Sequence, residues 1–137
     1  MSAALDLTPL SKVLERLAEG LARYRSDTND TQIRDGLVQR FEFAYEISHK
    51  MLKRYLETAS ATPASFDAMS FADLIRTANE QGLLLGNWPD WKRYREMRSR
   101  TSHTYNEAVA VEVVAGIPGF LAEAQYLLAQ LERRTAP

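Results

Sequence analysis

The sequence predicts an all-α protein, an antiparallel bundle of four or five helices that run up and down. Apolar residues recur at helical spacing through most of the chain, and capping residues stand at the starts of these periodic segments. No strand-like alternation of useful length interrupts them. The 137 residues fit one domain, residues 1–137, because a domain contains about 150 residues.

Composition excludes several classes of protein. Hydrophobic residues make up 45% of the chain and charged residues 26%, which excludes disorder driven by composition. No apolar run approaches the ~18 residues of a membrane-spanning helix. The start of the chain carries Asp6 and no basic residue, so we do not expect a signal peptide. A net charge of −1 excludes a globally basic nucleic-acid binder and leaves a local basic patch open. The absence of cysteine excludes disulfides and fits a cytoplasmic protein.

Two helices are predicted in the first half of the chain. Thr8 is the expected N-cap of the first and Pro9 suits its first turn. Its apolar stripe is Leu10, Val13, Leu14, Leu17, Leu21 and Tyr24. After a polar turn at residues 26–30, a second helix spans residues 31–58, about 40 Å, and forms the spine of the bundle. Residues 59–69 are predicted to be a linker.

Three further segments complete the predicted bundle. Ser70 caps a short third helix that Gly82 terminates, and Asn87 opens a fourth helix that breaks near His103. Thr104 and Glu107 have capping-box spacing, so a fifth helix is expected to open around Tyr105 and to run to Arg134. Pro118 is expected to kink or split this helix, because proline lacks the backbone N–H.

The residues with the strongest chemical signal lie in residues 93–105 (RYREMRSRTSHTY). Arginine is a permanently charged phosphate ligand, histidine exchanges protons near neutral pH, and a tyrosine hydroxyl can accept a phosphoryl group. The segment therefore indicates a site for a phosphodiester. The competing interpretation is a solvated, arginine-rich helix face that ends in a histidine interacting with the helix dipole. The candidate site residues are Arg95, Arg98, Ser99, Arg100, Ser102, His103 and Tyr105.

Helix geometry limits how these residues can act together. Arg98 and His103 lie about 140° apart around an unbroken helix, so they would not converge there. They converge if the helix ends at His103, or if a second subunit completes the site.

Other chemistry finds little support in the sequence. No glycine-rich phosphate loop exists, and His49 and His103 are the only histidines. Glu46 and His49 form one Glu-x-x-His pair, but it stands alone, so we predict no metal site and no cofactor, with His49 partly exposed. Glu42 and Glu46 lie one turn apart and are interpreted as ion-pair partners of the motif arginines rather than as a catalytic pair. The aromatic residues expected in the core or at a dimer interface are Phe41, Phe43, Tyr45, Tyr55 and Trp91.

Three segments carry a resemblance to a known family that spans about residues 5–133. The pattern Arg98-x4-His103-x-Tyr105 matches the signature of HepT-like toxins in the HEPN superfamily. Residues 34–46 (RDGLVQRFEFAYE) and 50–56 (KMLKRYL) resemble the long helix of nucleotidyltransferase substrate-binding proteins. Residues 101–107 (TSHTYNE) resemble the second hallmark of that family.

The resemblance implies a HEPN-like bundle that pairs as a homodimer, with the R-x4-H segments facing a cleft between subunits. It implies a partner, a small MNT-type nucleotidyltransferase. In toxin members the HEPN protein is a metal-independent ribonuclease that acts on RNA. His103 would then activate a ribose 2′-OH or protonate the leaving oxygen, and Arg98 would stabilise phosphate charge. The partner silences such toxins by transferring AMP to the matching tyrosine, here Tyr105.

Two positions depart from the family pattern. Ser99 replaces the asparagine that usually follows the motif arginine, and His49 replaces a frequent tryptophan. Two further interpretations therefore stay open beside the toxin: a non-catalytic subunit that presents substrate to the nucleotidyltransferase, and a plain oligomerisation module.

Overall fold

The computed structural model describes residues 5–136 and contains five α-helices. These are α1 (Thr8–Ser26), α2 (Thr31–Thr58), α3 (Phe71–Glu80), α4 (Trp88–Arg100) and α5 (Glu107–Thr135). Short 3-10 turns occur at Pro63–Phe66, within the predicted linker, and at Thr101–His103. Residues 5–136 contain no strand, which confirms the predicted all-α class. Of the segment considered as a signal peptide, residues 1–4 lie outside the described residues.

Local hydrogen bonds explain where α2, α3 and α4 begin. The Asp30 carboxylate accepts from the first-turn N–H groups of α2, and Ser70 Oγ accepts from Asp73 N at 3.2 Å. At the start of α4, Asn87 N donates to Asp90 Oδ2 at 3.1 Å. The predicted caps Ser70 and Asn87 therefore stand in the predicted places.

Two other predicted caps are wrong. Thr8 is the first residue of α1, and its N–H donates to Asp6 Oδ1 at 3.0 Å, so Asp6 satisfies this end of the helix. Thr104 does not cap α5, because its hydroxyl donates to Thr101 O at 3.1 Å. Asn106 caps α5 instead, since its side-chain oxygen accepts from Ala108 N and Val109 N, and the helix begins at Glu107 rather than around Tyr105.

Pro118 does not split α5. The helix runs without interruption from Glu107 to Thr135. Proline removes one backbone hydrogen bond, but Ile117 and Phe120 on either side of it are fully buried. Burial of these apolar side chains offsets that loss and keeps the helix continuous.

The core is centred on α2, which contacts each of the other four helices and forms the predicted spine. Phe120 of α5 lies in the middle of an aromatic cluster with Phe41, Tyr45, Trp91 and Tyr94, at ring-centroid distances of 5.1–6.2 Å. These five side chains are buried. No helix within residues 5–136 has the length and apolar character needed to cross a membrane.

The connection before α4 is fixed by a buried carboxylate. Glu123 of α5 is 2% exposed and accepts from Leu85 N and Gly86 N, each at 2.7 Å. At the other end of α4, a Cβ on Gly116 would lie 2.5 Å from Met97 Sδ, so glycine permits close packing of α5 on α4. Both contacts set the position of α4, which carries the arginine-rich segment.

Candidate functional site

The fold sorts the arginines of α4 into two kinds. Trp91, Tyr94 and Met97 face the core, so the arginines project from the outer surface of the helix. Two of them lie over aromatic rings, with Arg93 Cζ 5.5 Å from the Tyr94 centroid and Arg95 Cζ 5.1 Å from the Phe71 centroid. The other two, Arg98 and Arg100, form ion pairs with carboxylates.

Arg98 is held by two glutamates of α2. Its Nε donates to Glu46 Oε1 at 3.1 Å and its Nη2 donates to the same oxygen, while Glu42 Oε2 lies 3.9 Å from Nη1. Nη1 also donates to Thr101 Oγ1 at 3.2 Å. The hydrogen bonds that Arg98 donates to Glu46 raise the pKa of Arg98, so the guanidinium stays charged. The predicted pairing of Glu42 and Glu46 with a motif arginine is therefore confirmed.

Arg100 faces away from this pair, towards α5. It forms an ion pair with Glu112 and lines a cavity of about 440 Å³ between α4 and α5 together with Arg93, Met97 and Gly116. Arg98 does not line that cavity. The fold thus separates Arg100 from the other predicted substrate-binding arginines.

A second cavity, which we call the α2–α4 groove, brings together three of the predicted residues. It has a volume of about 350 Å³ and opens between α2, α3 and α4. Its lining residues are Tyr45, Glu46, His49, Phe71, Arg95, Arg98 and Ser99. Positive guanidinium groups, one carboxylate and three rings therefore share one open cavity.

Two side chains that line the α2–α4 groove, Tyr45 and His49, have pKa values shifted from their ordinary values. Burial raises the pKa of Tyr45 to about 12, so its hydroxyl keeps its proton at neutral pH. Burial lowers the pKa of His49, and the positive charges of Lys53 and Arg95 lower it further. Because both effects disfavour the imidazolium, His49 is a neutral group with one donor and one acceptor at neutral pH.

The turn between α4 and α5 carries the remaining predicted residues. Helix α4 ends at Arg100, close to the predicted break, and Thr101 is buried beneath the turn. His103 is exposed and Tyr105 is 86% exposed, with their ring centroids 6.1 Å apart. Glu107, just after the turn, is held by Arg34 Nη1 at 2.6 Å.

The α2–α4 groove therefore does not bring Arg98 together with His103. Neither His103 nor Tyr105 lines the α2–α4 groove, and Ser102 is exposed on the turn. The groove gathers Arg95, Arg98 and Ser99, while the histidine of the motif faces solvent.

The sequence did not predict that His49 and Phe71 would line the α2–α4 groove. The sequence predicted only that His49 would be partly exposed, which it is, and did not place it in a cavity. Its spacing from Glu42 and Glu46 on α2 already indicated this face, because residues three and seven positions apart share one side of a helix. Phe71, the first residue of α3, is only partly buried, and no pattern in the sequence indicated that it would line a cavity.

Comparison with known proteins gives concordant results. The model of a family described as "Nucleotidyltransferase substrate binding protein like" matches residues 5–133. A Haemophilus influenzae protein named "Probable ribonuclease HepT" is 43% identical over 99 residues, which are 72% of this chain and 67% of that protein. A solved Haemophilus influenzae structure, described as the fold of a substrate binding domain of a nucleotidyltransferase, has a TM-score of 0.85 and 35% identity. That match covers 93% of this chain and 99% of the solved one.

Proposed function

Because this chain belongs to the nucleotidyltransferase substrate binding protein-like family, we propose that it is the HEPN component of a two-protein toxin–antitoxin system. Its partner is an MNT-type nucleotidyltransferase. In this proposal residues 1–137 form one domain that acts in the cytoplasm as a homodimeric, metal-independent ribonuclease. The observation that carries the proposal is the position of Arg98 and His103. A fixed guanidinium lies at the end of α4 and an exposed imidazole lies on the turn that follows.

The two side chains have complementary roles in RNA cleavage. The ribose 2′-oxygen attacks the adjacent phosphorus, the bond to the 5′-oxygen breaks, and a 2′,3′-cyclic phosphate forms. His103 takes the proton of the 2′-OH or gives one to the leaving oxygen. Arg98 stabilises the negative charge that builds on the phosphate. Since His103 lies outside the α2–α4 groove, the cleft between two subunits is where RNA meets both groups.

Tyr105 is the proposed site of regulation. Its phenol is 86% exposed, so a second protein can reach the oxygen. The oxygen attacks the α-phosphorus of ATP in the nucleotidyltransferase, pyrophosphate leaves, and the phenolic proton passes to a base or to water. The resulting AMP group places negative charge and bulk two residues from His103, which repels the RNA backbone.

A second function is favoured by a specific observation. All three nitrogens of the Arg98 guanidinium already donate to Glu46 or Thr101, and Ser99 stands in place of the family asparagine. Such a site is less suited to phosphate cleavage than to holding a substrate. The alternative is therefore a non-catalytic subunit that presents substrate to the nucleotidyltransferase.

RNA cleavage and growth arrest separate the two functions. We expect the wild-type chain to arrest growth and to cut RNA, and His103→Ala to lose about 10²–10⁴-fold in cleavage rate, the usual contribution of a proton-transfer group. Gln125→Ala, a neutral change at an exposed position of α5 outside the candidate site, is the control and should retain activity. If the wild type neither arrests growth nor cuts RNA and His103→Ala behaves identically, the toxin proposal is wrong and the binding subunit is favoured.

Mass spectrometry tests the proposed modification. After incubation with the partner, ATP and Mg²⁺, the wild-type chain should gain mass in units of AMP. Tyr105→Phe should gain none, because the acceptor oxygen is gone, while Tyr126→Phe should be modified like the wild type. An unmodified wild-type chain, or an adduct that persists in Tyr105→Phe, would contradict the assignment.

A further inference from the structure

We propose that the α2–α4 groove binds one nucleotide, whose base stacks on the guanidinium of Arg95. The proposal rests on the function proposed above, since it assumes that the protein handles RNA or nucleotides. It differs from the R-x4-H site in its residues, because it depends on Arg95, Phe71, His49 and Ser99. Three features of the groove carry it.

The first feature is the distribution of charge. Arg98 is countered by Glu46 and Glu42, and Arg100 by Glu112. Within residues 5–136, Arg95 has no carboxylate within ion-pair distance. Arg95 is therefore the cation in the groove whose charge remains available to an anionic ligand, and its N–H groups can donate to a phosphate.

The second feature is a preformed flat surface. The Phe71 ring makes T-shaped contacts with His49 and Trp88, at centroid distances of 5.0 and 5.6 Å. Arg95 Cζ lies over this ring at 5.1 Å, so the guanidinium packs against Phe71. Arg95 is exposed, which leaves the other face to a ligand. Unpaired bases stack on guanidinium planes in RNA-binding proteins, and such stacking tolerates any base.

The third feature is a set of neutral polar groups around that surface. His49 has a neutral imidazole at neutral pH, because burial, Lys53 and Arg95 all disfavour its protonation. Ser99 Oγ donates to Glu96 O at 2.8 Å and keeps its lone pairs for an incoming N–H. Glu46 faces the same groove but is engaged by Arg98, and Tyr45 keeps its phenolic proton. Neutral donors and acceptors of this kind suit the polar edge of a base.

The size of the groove limits the ligand to a single unit. A volume of about 350 Å³ falls at the lower end of the ~300–1,000 Å³ found for small-molecule sites. One base with its phosphate fits that range. The nucleotide can be free or can belong to an RNA strand whose neighbouring units lie outside the groove.

Binding measurements test the proposal without reference to cleavage. The probes are AMP and a short, fluorescein-labelled oligoadenylate, measured by calorimetry and fluorescence anisotropy on the full chain with His103→Ala as the background. Arg95→Ala should weaken binding about 5- to 150-fold, the usual cost of losing one stacking platform. Arg95→Lys should also weaken binding, but by less than Arg95→Ala, because lysine keeps the charge and loses the plane.

Arg93→Ala is the matched control. Arg93 is exposed on the same helix and also lies over an aromatic ring, but it lines the cavity between α4 and α5. Arg93→Ala should leave affinity unchanged within about twofold. Phe71→Leu should weaken binding through the lost support of Arg95, and a thermal melt by circular dichroism checks that each variant is folded.

The two probes distinguish a free nucleotide from a unit of an RNA strand. Saturable AMP binding that Arg95→Ala abolishes supports a site for free nucleotides, and oligoadenylate binding without AMP binding supports a site for a unit of RNA. The proposal is overturned if neither probe binds, if Arg95→Ala has no effect, or if Arg93→Ala and Arg95→Ala weaken binding equally. If the wild-type chain cuts no RNA while the Arg95-dependent binding is intact, the result counts against the ribonuclease alone.

Discussion

The α2–α4 groove and the turn that follows α4 carry parts of one sequence motif, yet the fold constrains them very differently. In the groove, Arg98 is fixed by Glu46 and Thr101, and Arg95 lies on a supported ring. On the turn, His103 is exposed and the Tyr105 phenol is almost wholly in solvent. The groove is therefore organised by a single chain, whereas the same chain leaves His103 and Tyr105 exposed to solvent.

The largest expected effect comes from the aromatic cluster beneath the groove. Phe120→Ala removes a fully buried ring that contacts Tyr45, Trp91 and Tyr94. The free energy of unfolding should therefore decrease by about 3–5 kcal/mol. Phe43→Ala is the control, since Phe43 is 51% exposed and its loss should change stability by about 0.5 kcal/mol or less. Urea unfolding followed by circular dichroism measures both. Equal effects would show that Phe43 is buried in solution, for example between two subunits.

Removal of the Glu123 carboxylate should have the next largest effect on the stability of the fold. Glu123→Gln turns an amide N–H group towards the N–H donors of Leu85 and Gly86, which should destabilise the fold by about 1–3 kcal/mol. Glu132→Gln, on an exposed position of the same helix, should be nearly neutral. Urea unfolding again provides the measurement. An unchanged Glu123→Gln midpoint would mean that the connection before α4 does not depend on this carboxylate.

A smaller effect is expected when Arg98 loses the negative charge of its ion-pair partner Glu46. Glu46→Gln should change stability by less than about 1 kcal/mol, because the pair is partly exposed. It should tighten oligoadenylate binding at low salt, since the groove loses a negative charge, and the gain should fade as salt is added. Glu112→Gln makes the same charge change beside Arg100, outside the groove. Equal gains in the two variants would indicate a general charge effect and no special role for the groove.

The smallest expected effect is a dependence of the stability of the fold on pH. The pKa of His49 in the folded chain lies below the ordinary value, so the unfolded chain binds more protons and stability should fall as pH decreases below about 6.5. His49→Gln should remove part of this decrease. NMR titration of His103→Gln, which leaves one imidazole, should give a pKa below about 6.5 for His49. A value at or above the ordinary one would contradict the burial of this ring in the groove.

The sequence predicted the helices well, because apolar spacing and proline and capping residues are local signals. The bounds of α2 agree with the prediction, and α4 ends at Arg100, close to the break that was predicted near His103. The errors at Thr8 and Thr104 have a common cause: two polar residues competed for each helix start, and Asp6 and Asn106 made the hydrogen bonds. Spacing alone does not decide between such neighbours.

The candidate site was only partly predictable. The pairing of Arg98 with Glu42 and Glu46 followed from their shared face on α2, since helix periodicity fixes which side chains stand together. The contact of Arg95 with Phe71, and the presence of His49 beside them, depend on how α3 packs against α2 and α4. Packing between helices distant in sequence leaves no periodic signal in the chain.

The turn at residues 101–106 is held by hydrogen bonds of its own, while the Tyr105 side chain is exposed to solvent. Asn106 N donates to His103 O at 3.0 Å, and the hydroxyl of Thr104 donates to Thr101 O. A group attached to the oxygen of Tyr105 would therefore enlarge the outline of the molecule without displacing a packed atom. Attachment or removal of such a group would leave the packed core unchanged.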